Sequence, residues 1–216
     1  MREERSRRPV RILLVGTGGQ GVVTATHWLA SFFADRGREV TSGQLHGMAQ
    51  RGGAVSASVA IDCGPSPRIA EGRADAVVGL EPVETARALS FVSSSTTVLM
   101  NTRPVVPFVV AQSHVRKRNE GCYPDVSELE AALRAVTPHL VALDFTRLAE
   151  ESGSPRALNM VMLGAFFGIG LLPDSPGEFL EAVRARIPPR LSEANEIAFL
   201  SGVRAVESFQ PVGGQP

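Results

Sequence analysis

The chain of 216 residues has only two cysteines, Cys63 and Cys122, and they lie far apart. Neither belongs to a Cys-x-x-Cys motif or to a cluster of cysteines and histidines. This scarcity excludes a disulfide-rich scaffold. It also excludes an iron–sulfur cluster held by this chain alone, because such clusters use about four thiolates. We predict no metal site.

The chain also lacks an excess of charge of either sign, since 22 Lys and Arg residues balance 22 Asp and Glu residues. A nucleic acid or an anionic membrane surface is therefore not an expected partner. A near-neutral surface is poor at keeping molecules apart, and this mildly favours a chain that works within a complex.

No apolar run has the length that a membrane span requires. Residues 157–172 are apolar except for Asn159 and end before Pro173, whereas a spanning helix needs roughly 20 residues. We expect a buried helix there. Residues 1–9 carry charges of both signs without an apolar core, which does not indicate a signal peptide. We expect a disordered tail at 1–9, one domain over 10–210, and a cytoplasmic location.

What the sequence does contain is an alternation of apolar strands and helices. Val10–Val15 is predicted as a buried strand, and apolar residues at helical spacing then predict a helix that ends near Gly37. A second strand at Glu39–Ser42 makes this a βαβ unit, which implies a parallel sheet. Further strands are predicted near 55–61, 75–80, 97–101 and 140–144, and further helices at 82–91, 125–136 and after 156. We therefore predict a three-layer α/β/α Rossmann-like domain with a mostly parallel sheet and a helical C-terminal third.

The loop after the first strand, GTGGQG, matches the glycine fingerprint of dinucleotide-binding proteins. Such glycines let a phosphate approach the N-terminus of the next helix, and the amide of Gln20 suits a partner or ligand. The fingerprint also requires an acid at the end of the second strand, but that strand ends in Thr-Ser-Gly-Gln. Classical NAD binding is therefore disfavoured. The candidate residues are Gly16, Gly18, Gly19, Gln20 and Gly21.

A second loop, within the segment 44–53 (QLHGMAQRGG), has side chains that are unusual for a turn. His46 can exchange a proton near neutral pH, Arg51 offers a fork for a carboxylate or phosphate, and Met48 gives an adaptable apolar contact. The loop follows the second strand at the same sheet edge as the glycine loop, which favours a functional role. Its candidate residues are His46, Gly47, Met48, Gln50, Arg51, Gly52 and Gly53.

Together with EPVETARAL (81–89) and ALNMVMLGAF (157–166), these loops resemble the γ-type subunits of 2-oxoacid:ferredoxin oxidoreductases, especially the small subunits of the indolepyruvate type. The resemblance covers residues 11–200. It implies an enzyme that decarboxylates a 2-oxoacid, of arylpyruvate type, on thiamine diphosphate with Mg²⁺. The electrons pass through [4Fe–4S] clusters to ferredoxin, and an acyl-CoA is released. The resemblance places these cofactors on a large partner subunit, so no catalytic residue is expected in this chain alone.

The resemblance leaves two roles open for the loops. They could support the active site of the large subunit, or the glycine loop and Arg51 could receive the phosphates of coenzyme A. Asn159, Gly164 and Gly168 in the apolar helix are candidate interface residues, because the two glycines share one helical face; a core helix is equally admissible. The alternatives to a subunit are a free-standing NAD(P)- or flavin-nucleotide-binding reductase and a scaffolding module.

Overall fold

A six-stranded sheet forms the centre of the protein, whose computed structural model describes residues 8–46, 53–105 and 123–209. The order of the strands across the sheet is β2-β3-β1-β4-β5-β6. The strands are β1 (Val10–Thr17), β2 (Val40–His46), β3 (Ala54–Ile61), β4 (Ala76–Gly79), β5 (Thr97–Asn101) and β6 (Leu140–Leu143).

The two strands of the predicted βαβ unit, β1 and β2, are not neighbours in the sheet. Strand β3 lies between β1 and β2 and pairs antiparallel with both. β1 and β2 therefore run in the same direction without touching, and five of the six described strands are parallel in direction. β2 also extends to His46, past the predicted end at Ser42, because its whole length pairs with β3.

Seven helices surround the sheet in the described part of the chain. Three of them begin with a proline in the first turn, where the missing N–H would have no partner anyway. The predicted helix at 82–91 is α-helical only to Arg87 and continues as a 3₁₀ turn. The helices are α1 (Val22–Asp35), α2 (Pro82–Arg87), α3 (Val126–Arg134), α4 (Phe145–Glu151), α5 (Leu158–Gly168), α6 (Pro176–Arg184) and α7 (Pro189–Ala205).

Two apolar clusters cover the two faces of the sheet, which gives the predicted three layers. One joins alternate residues of β1 and β3 to α1, α4, α5, α6 and α7. The other joins the opposite residues of β1, β4 and β5 to the 3₁₀ turn after α2 and to α3. The helical C-terminal third is therefore confirmed, and most of it packs on one face.

Helix α5 lies within the apolar segment 157–172, and it is a core helix of this chain, as expected. Gly164 lies against the carbonyl of Phe199 in α7, and Gly168 lies against Val203 and Val206. Both glycines thus serve the packing of α5 on α7 within one chain, as the core-helix alternative expects, and their role at a subunit interface stays a prediction. No helix of the described residues is long and apolar enough to span a bilayer.

The start of the chain is anchored at one point within the predicted tail. Arg8 donates to Asp75, and the carbonyl of Arg8 accepts a hydrogen bond from Arg38. Residues 1–7 lie outside the described ranges. The limits of the tail and of the domain at 10–210 stay predictions.

Candidate functional site

The sheet changes its direction of winding between β1 and β4. The chain leaves β1 through α1 towards β2 and β3 on one side, and it later builds β5 and β6 beyond β4 on the other. The carboxyl ends of β1 and β4 therefore lie at a topological switch point, which is where open α/β sheets bind ligands. The glycine loop, residues 16–21, lies at this point.

The glycine loop turns tightly from β1 into α1. Gly19 and Gly21 have positive φ angles of 102° and 85°, a region that glycine enters without steric cost. Gly21 is the N-cap residue of α1, so it offers no side chain to the free N–H groups of the first turn. That first turn also contains no acidic residue. The N-terminus of α1 thus has neither a side-chain cap nor an acidic residue in its first turn.

Gln20 connects the end of β1 with the end of β4. Its Oε1 accepts hydrogen bonds from the backbone N–H and the hydroxyl of Thr17, at 2.7 and 3.1 Å, and its Nε2 donates to the carbonyl of Leu80 at 2.8 Å. A Cβ at Gly16 would lie 2.8 Å from that Oε1, so glycine there leaves room for the amide. The amide therefore holds the loop, and the prediction that it also addresses a partner or ligand stays a prediction.

A second amide fixes the same carbonyl from the far side. Asn101, which is fully buried, donates from Nδ2 to the carbonyl of Leu80 at 2.9 Å and to the hydroxyl of Thr146 at 3.0 Å. The backbone N–H of Thr146 donates back to Asn101 Oδ1 at 3.2 Å. The loop, the end of β4, the end of β5 and the start of α4 are thus linked by one network.

The structure brings the two predicted loops together. The backbone N–H of Gly18 donates to the carbonyl of Gly53 at 2.9 Å, and Thr17 pairs with Ala54 at the start of β3. His46 ends β2 opposite Val55, one strand further away. The predicted residues Gly47, Met48, Gln50, Arg51 and Gly52 lie outside the described residues.

The same strand order explains why this is not a classical NAD site. In that fold the acid that binds the ribose ends the parallel strand next to β1. Here the neighbour on that side is β3, which is antiparallel and starts at this edge with Ala54. On that side of β1, therefore, no carboxylate can arrive from the end of a parallel neighbour.

Asn159 lies directly beneath the glycine loop, in the first turn of α5. A Cβ built on Gly21 would be 2.8 Å from Asn159 Nδ2 and 3.2 Å from Asn159 Cβ. The amide is therefore packed against the N-cap of α1, and the glycine is needed for that approach. Asn159 thus joins α5 to the candidate site, and its role as an interface residue stays a prediction.

Sequence reasoning missed a buried carboxylate at the end of β4. Glu81 is 2% exposed, caps α2 by accepting from the backbone N–H of Glu84 at 2.9 Å, and accepts a short hydrogen bond from the Tyr123 hydroxyl. Burial raises the pKa of Glu84, while its ion pair with Arg87 acts in the opposite direction. The signal in the sequence was the Glu-Pro pair that follows a buried strand, which is typical of a capped helix start.

This contact predicts an unusual titration of Tyr123, the single tyrosine of the chain. Burial raises the pKa of its phenol above the ordinary value of about 10, and the hydrogen bond to Glu81 raises the pKa further. A raised folded-state pKa stabilises the fold below about pH 10, and that contribution disappears as the pH rises further. We expect tyrosinate absorbance to appear only well above that pH, together with unfolding.

A Glu81→Gln variant provides the comparison, because it removes the negative charge next to the phenol and should lower the pKa of Tyr123 towards the ordinary value. A normal tyrosine titration in the folded wild-type chain would contradict the observed contact.

Arg103, which follows β5 at the same sheet edge, already forms an ion pair with Asp144. Arg103 donates to Asp144 Oδ2 from Nε at 3.1 Å and from Nη2 at 2.8 Å. Burial acts to raise the pKa of Asp144, but the hydrogen bonds from Arg103 and from the Arg147 backbone outweigh it and hold that pKa below its ordinary value. Arg103 is therefore committed to a carboxylate.

No group of three or more His, Cys, Asp or Glu side chains that could hold a metal occurs in residues 8–46, 53–105 and 123–209.

Comparison with known proteins agrees with this architecture. The chain is 34% identical over 202 residues to the indolepyruvate oxidoreductase subunit IorB of Archaeoglobus fulgidus, covering 94% of this chain and 98% of that one. Its fold matches the γ subunit of a keto/oxoacid ferredoxin oxidoreductase from Geobacter sulfurreducens, with a TM-score of 0.65 and 22% identity over 92% of this chain and 99% of that one.

It also matches the fold of 2-oxoglutarate:ferredoxin oxidoreductase from Magnetococcus marinus, solved with 2-oxoglutarate, coenzyme A and succinyl-CoA, with a TM-score of 0.67 and 16% identity. That match covers 95% of this chain and 32% of the larger one. The family model for pyruvate ferredoxin/flavodoxin oxidoreductase matches residues 11–205. The chain therefore belongs to the pyruvate ferredoxin/flavodoxin oxidoreductase family.

Proposed function

We propose that this chain is the small subunit of an indolepyruvate-type 2-oxoacid ferredoxin oxidoreductase and that it works in complex with a larger subunit. The observation that carries the proposal is its end-to-end likeness to the indolepyruvate oxidoreductase subunit of Archaeoglobus fulgidus. In the proposed complex, thiamine diphosphate, Mg²⁺ and [4Fe–4S] clusters belong to the large partner, ferredoxin accepts the electrons, and an arylpyruvate and coenzyme A are the substrates. A cytoplasmic location stays a prediction.

Within that complex we assign the glycine loop to coenzyme A. The first turn of α1 has no side-chain cap and no acidic residue, and free N–H groups at a helix N-terminus attract phosphates. The alternative role, in which the loop only supports the partner's active site, has less support. Gln20, one of the residues expected to face that partner, makes its hydrogen bonds within this chain.

The contribution of this chain to the reaction is therefore positioning. The amides of Gln20 and Asn101 fix the end of β4 and the start of α1, so the N–H groups of α1 need not reorganise when a phosphate binds. Coenzyme A supplies the thiol that takes up the acyl group. A fixed phosphate end restricts where that thiol can go, and such restriction lowers the entropic barrier of a group transfer.

Anaerobic co-expression with the large subunit tests this proposal. We expect a stable complex that reduces a viologen dye only when both an arylpyruvate and coenzyme A are present. Its kcat/KM for indolepyruvate or phenylpyruvate should exceed that for pyruvate by roughly tenfold or more, because an aryl ring adds apolar contact in the substrate pocket. The isolated chain, as the control, should be inactive.

The competing hypothesis is a free-standing reductase. Binding of NAD(P)H or a flavin nucleotide by the isolated chain, together with reduction of a substrate without any partner, would overturn the subunit proposal.

A further inference from the structure

We infer that a groove on the second face of the sheet receives an apolar helix of the large subunit. The groove lies over β1 and β3, on the face opposite α1 and α5, and it encloses a cavity of about 1260 Å³. The inference rests on the proposed function, because it requires the large subunit. It adds a docking surface that is separate from the glycine loop.

Small side chains form the floor of the groove. Ser56 and Ser58 of β3 point to this face, because the alternate residues of β3 belong to the apolar cluster on the other face. Ser56 pairs with Val15 and Ser58 pairs with Leu13, and both of these β1 residues line the cavity. The floor is therefore apolar along β1 and has short side chains along β3, so another element can approach the sheet closely.

The helix layer on this face is incomplete above the groove. The apolar cluster of this face joins β1, β4 and β5 to the 3₁₀ turn after α2 and to α3, and it contains no residue of β2 or β3. On the other face, by contrast, α1 packs against β3. Helices normally cover both faces of the sheet in a three-layer fold. The groove is the place in this layer that no helix of the described residues fills.

The walls of the groove carry charges that cancel. On one side Pro67 lies over β2, and Arg68 and Glu71 follow it in the same loop. On the other side Glu84 and Arg87 of α2 form an ion pair. An apolar floor between walls of mixed charge is typical of a protein interface, which has an apolar core and a polar rim. A segment that is apolar in its centre and has little net charge fits this groove.

The size of the cavity indicates a macromolecular occupant. Pockets for small ligands have volumes of about 300–1000 Å³ and bury most of the ligand surface. This cavity is larger, and it is open to solvent along one side. A small ligand would therefore keep much of its surface exposed there, whereas a helix that lies along the groove would bury one face and complete the layer.

A second copy of this chain fits the groove less well than a different subunit does. Three exposed large apolar side chains, Leu191, Ile197 and Leu200, lie on α7, and α7 packs on the other face of the sheet. If α7 of one copy entered the groove of the next, the head-to-tail contacts would build rings or open-ended fibres instead of a closed dimer. Two grooves placed face to face would leave both cavities empty.

The groove reaches the sheet edge at which the proposed function requires the large subunit. Ala54, which lines the cavity, pairs with Thr17 at the end of β1. Thr17 in turn donates to Gln20 in the glycine loop. A subunit that contacts this edge can therefore extend along the groove without a break in the interface. This continuity selects the large subunit as the occupant.

Blocking the groove tests the inference in the complex of the two subunits. Ser58→Trp places an indole on the floor, and the cavity has room for it, so the unfolding midpoint of the small subunit alone should not change. Its affinity for the large subunit, measured by calorimetry, should fall by about thirtyfold or more, the effect of losing a central interface contact. Ser42→Trp is the matched control and should bind as wild type does. Ser42 is exposed in β2 and pairs with Val59, which belongs to the other face.

A cysteine at the same position gives a second measurement that does not depend on a bulky side chain. Alkylation of Ser58→Cys, followed by site-resolved mass spectrometry, should be about tenfold slower or more in the complex than in the isolated small subunit, because a packed interface core excludes water and reagent. Ser42→Cys, on the opposite face, should react at the same rate in both states.

The outcomes separate this inference from the proposed function. If the wild-type subunits form a complex but Ser58→Trp binds as tightly as Ser42→Trp, or Ser58→Cys is not protected, the inference is wrong and the proposed function stands. If the wild-type subunits form no complex, both fail. Slow alkylation of Ser58→Cys in the small subunit alone would show that this chain, or a second copy detected by sedimentation, already fills the groove. That result would also overturn the inference.

Discussion

Replacement of Gly164 or Gly202 by alanine is expected to destabilise the chain by about 3 kcal/mol or more, the upper part of the range for an overpacked core. A Cβ at Gly164 would lie 1.9 Å from the carbonyl oxygen of Phe199, and a Cβ at Gly202 would lie 1.9 Å from that of Val161. Both obstacles are backbone atoms, so no side-chain rotation can relieve them. Helices α5 and α7 would have to move apart, which would disturb the apolar cluster around them.

The measurement is the midpoint of thermal unfolding. At about 2–4 °C per kcal/mol for a chain of this size, either variant should unfold roughly 6–12 °C below wild type. Gly177→Ala is the matched control, because Gly177 lies inside α6 with no atom within 4 Å of the added Cβ. That variant should be as stable as wild type or up to about 1 kcal/mol more stable. Equal midpoints for Gly164→Ala and Gly177→Ala would contradict the close packing of α5 on α7.

The sequence was enough to predict most of the elements but not the order of the strands. Val10 begins β1 and Thr97–Asn101 is β5, as the apolar runs indicated. The alternating pattern of residues 55–61 fits a strand that runs in either direction beside any neighbour. Its insertion between β1 and β2 depends on pairing across the sheet, and a local pattern carries no information about that.

The candidate site shows the same division between local and distant information. The loop itself was predictable, since its glycines follow a buried strand. The role of Gln20 was not, because an amide that suits a ligand suits equally well the carbonyl of Leu80, 60 residues later. In the same way, Gly164 and Gly168 indicate a close approach of some element, but only the structure shows that this element is α7.

The largest functional effect is expected from Gly21→Ala in the assembled enzyme. Gly21 has a φ of 85°, where a residue with a Cβ pays about 1–2 kcal/mol. The new Cβ would also lie 2.8 Å from Asn159 Nδ2 and 3.1 Å from Asn159 Cγ, so it would push the amide and the start of α1 apart. A displacement of about 1 Å in a positioning element reduces turnover by about a hundredfold. We expect a loss of that size in coenzyme A-dependent turnover.

Two other glycines separate backbone strain from displacement of the site. Gly19 and Gly37 have φ angles of 102° and 69°, but no atom lies within 4 Å of a Cβ added at either position. Gly37 follows the C-terminal end of α1, away from the glycine loop. Gly37→Ala should therefore lower the unfolding midpoint only by the cost of backbone strain and leave turnover unchanged. The turnover of Gly19→Ala should lie between that of Gly37→Ala and that of Gly21→Ala. If Gly21→Ala and Gly37→Ala had the same turnover, the position of the glycine loop would have no effect on the use of coenzyme A. The supporting role towards the large subunit would then be the better explanation of the glycine loop.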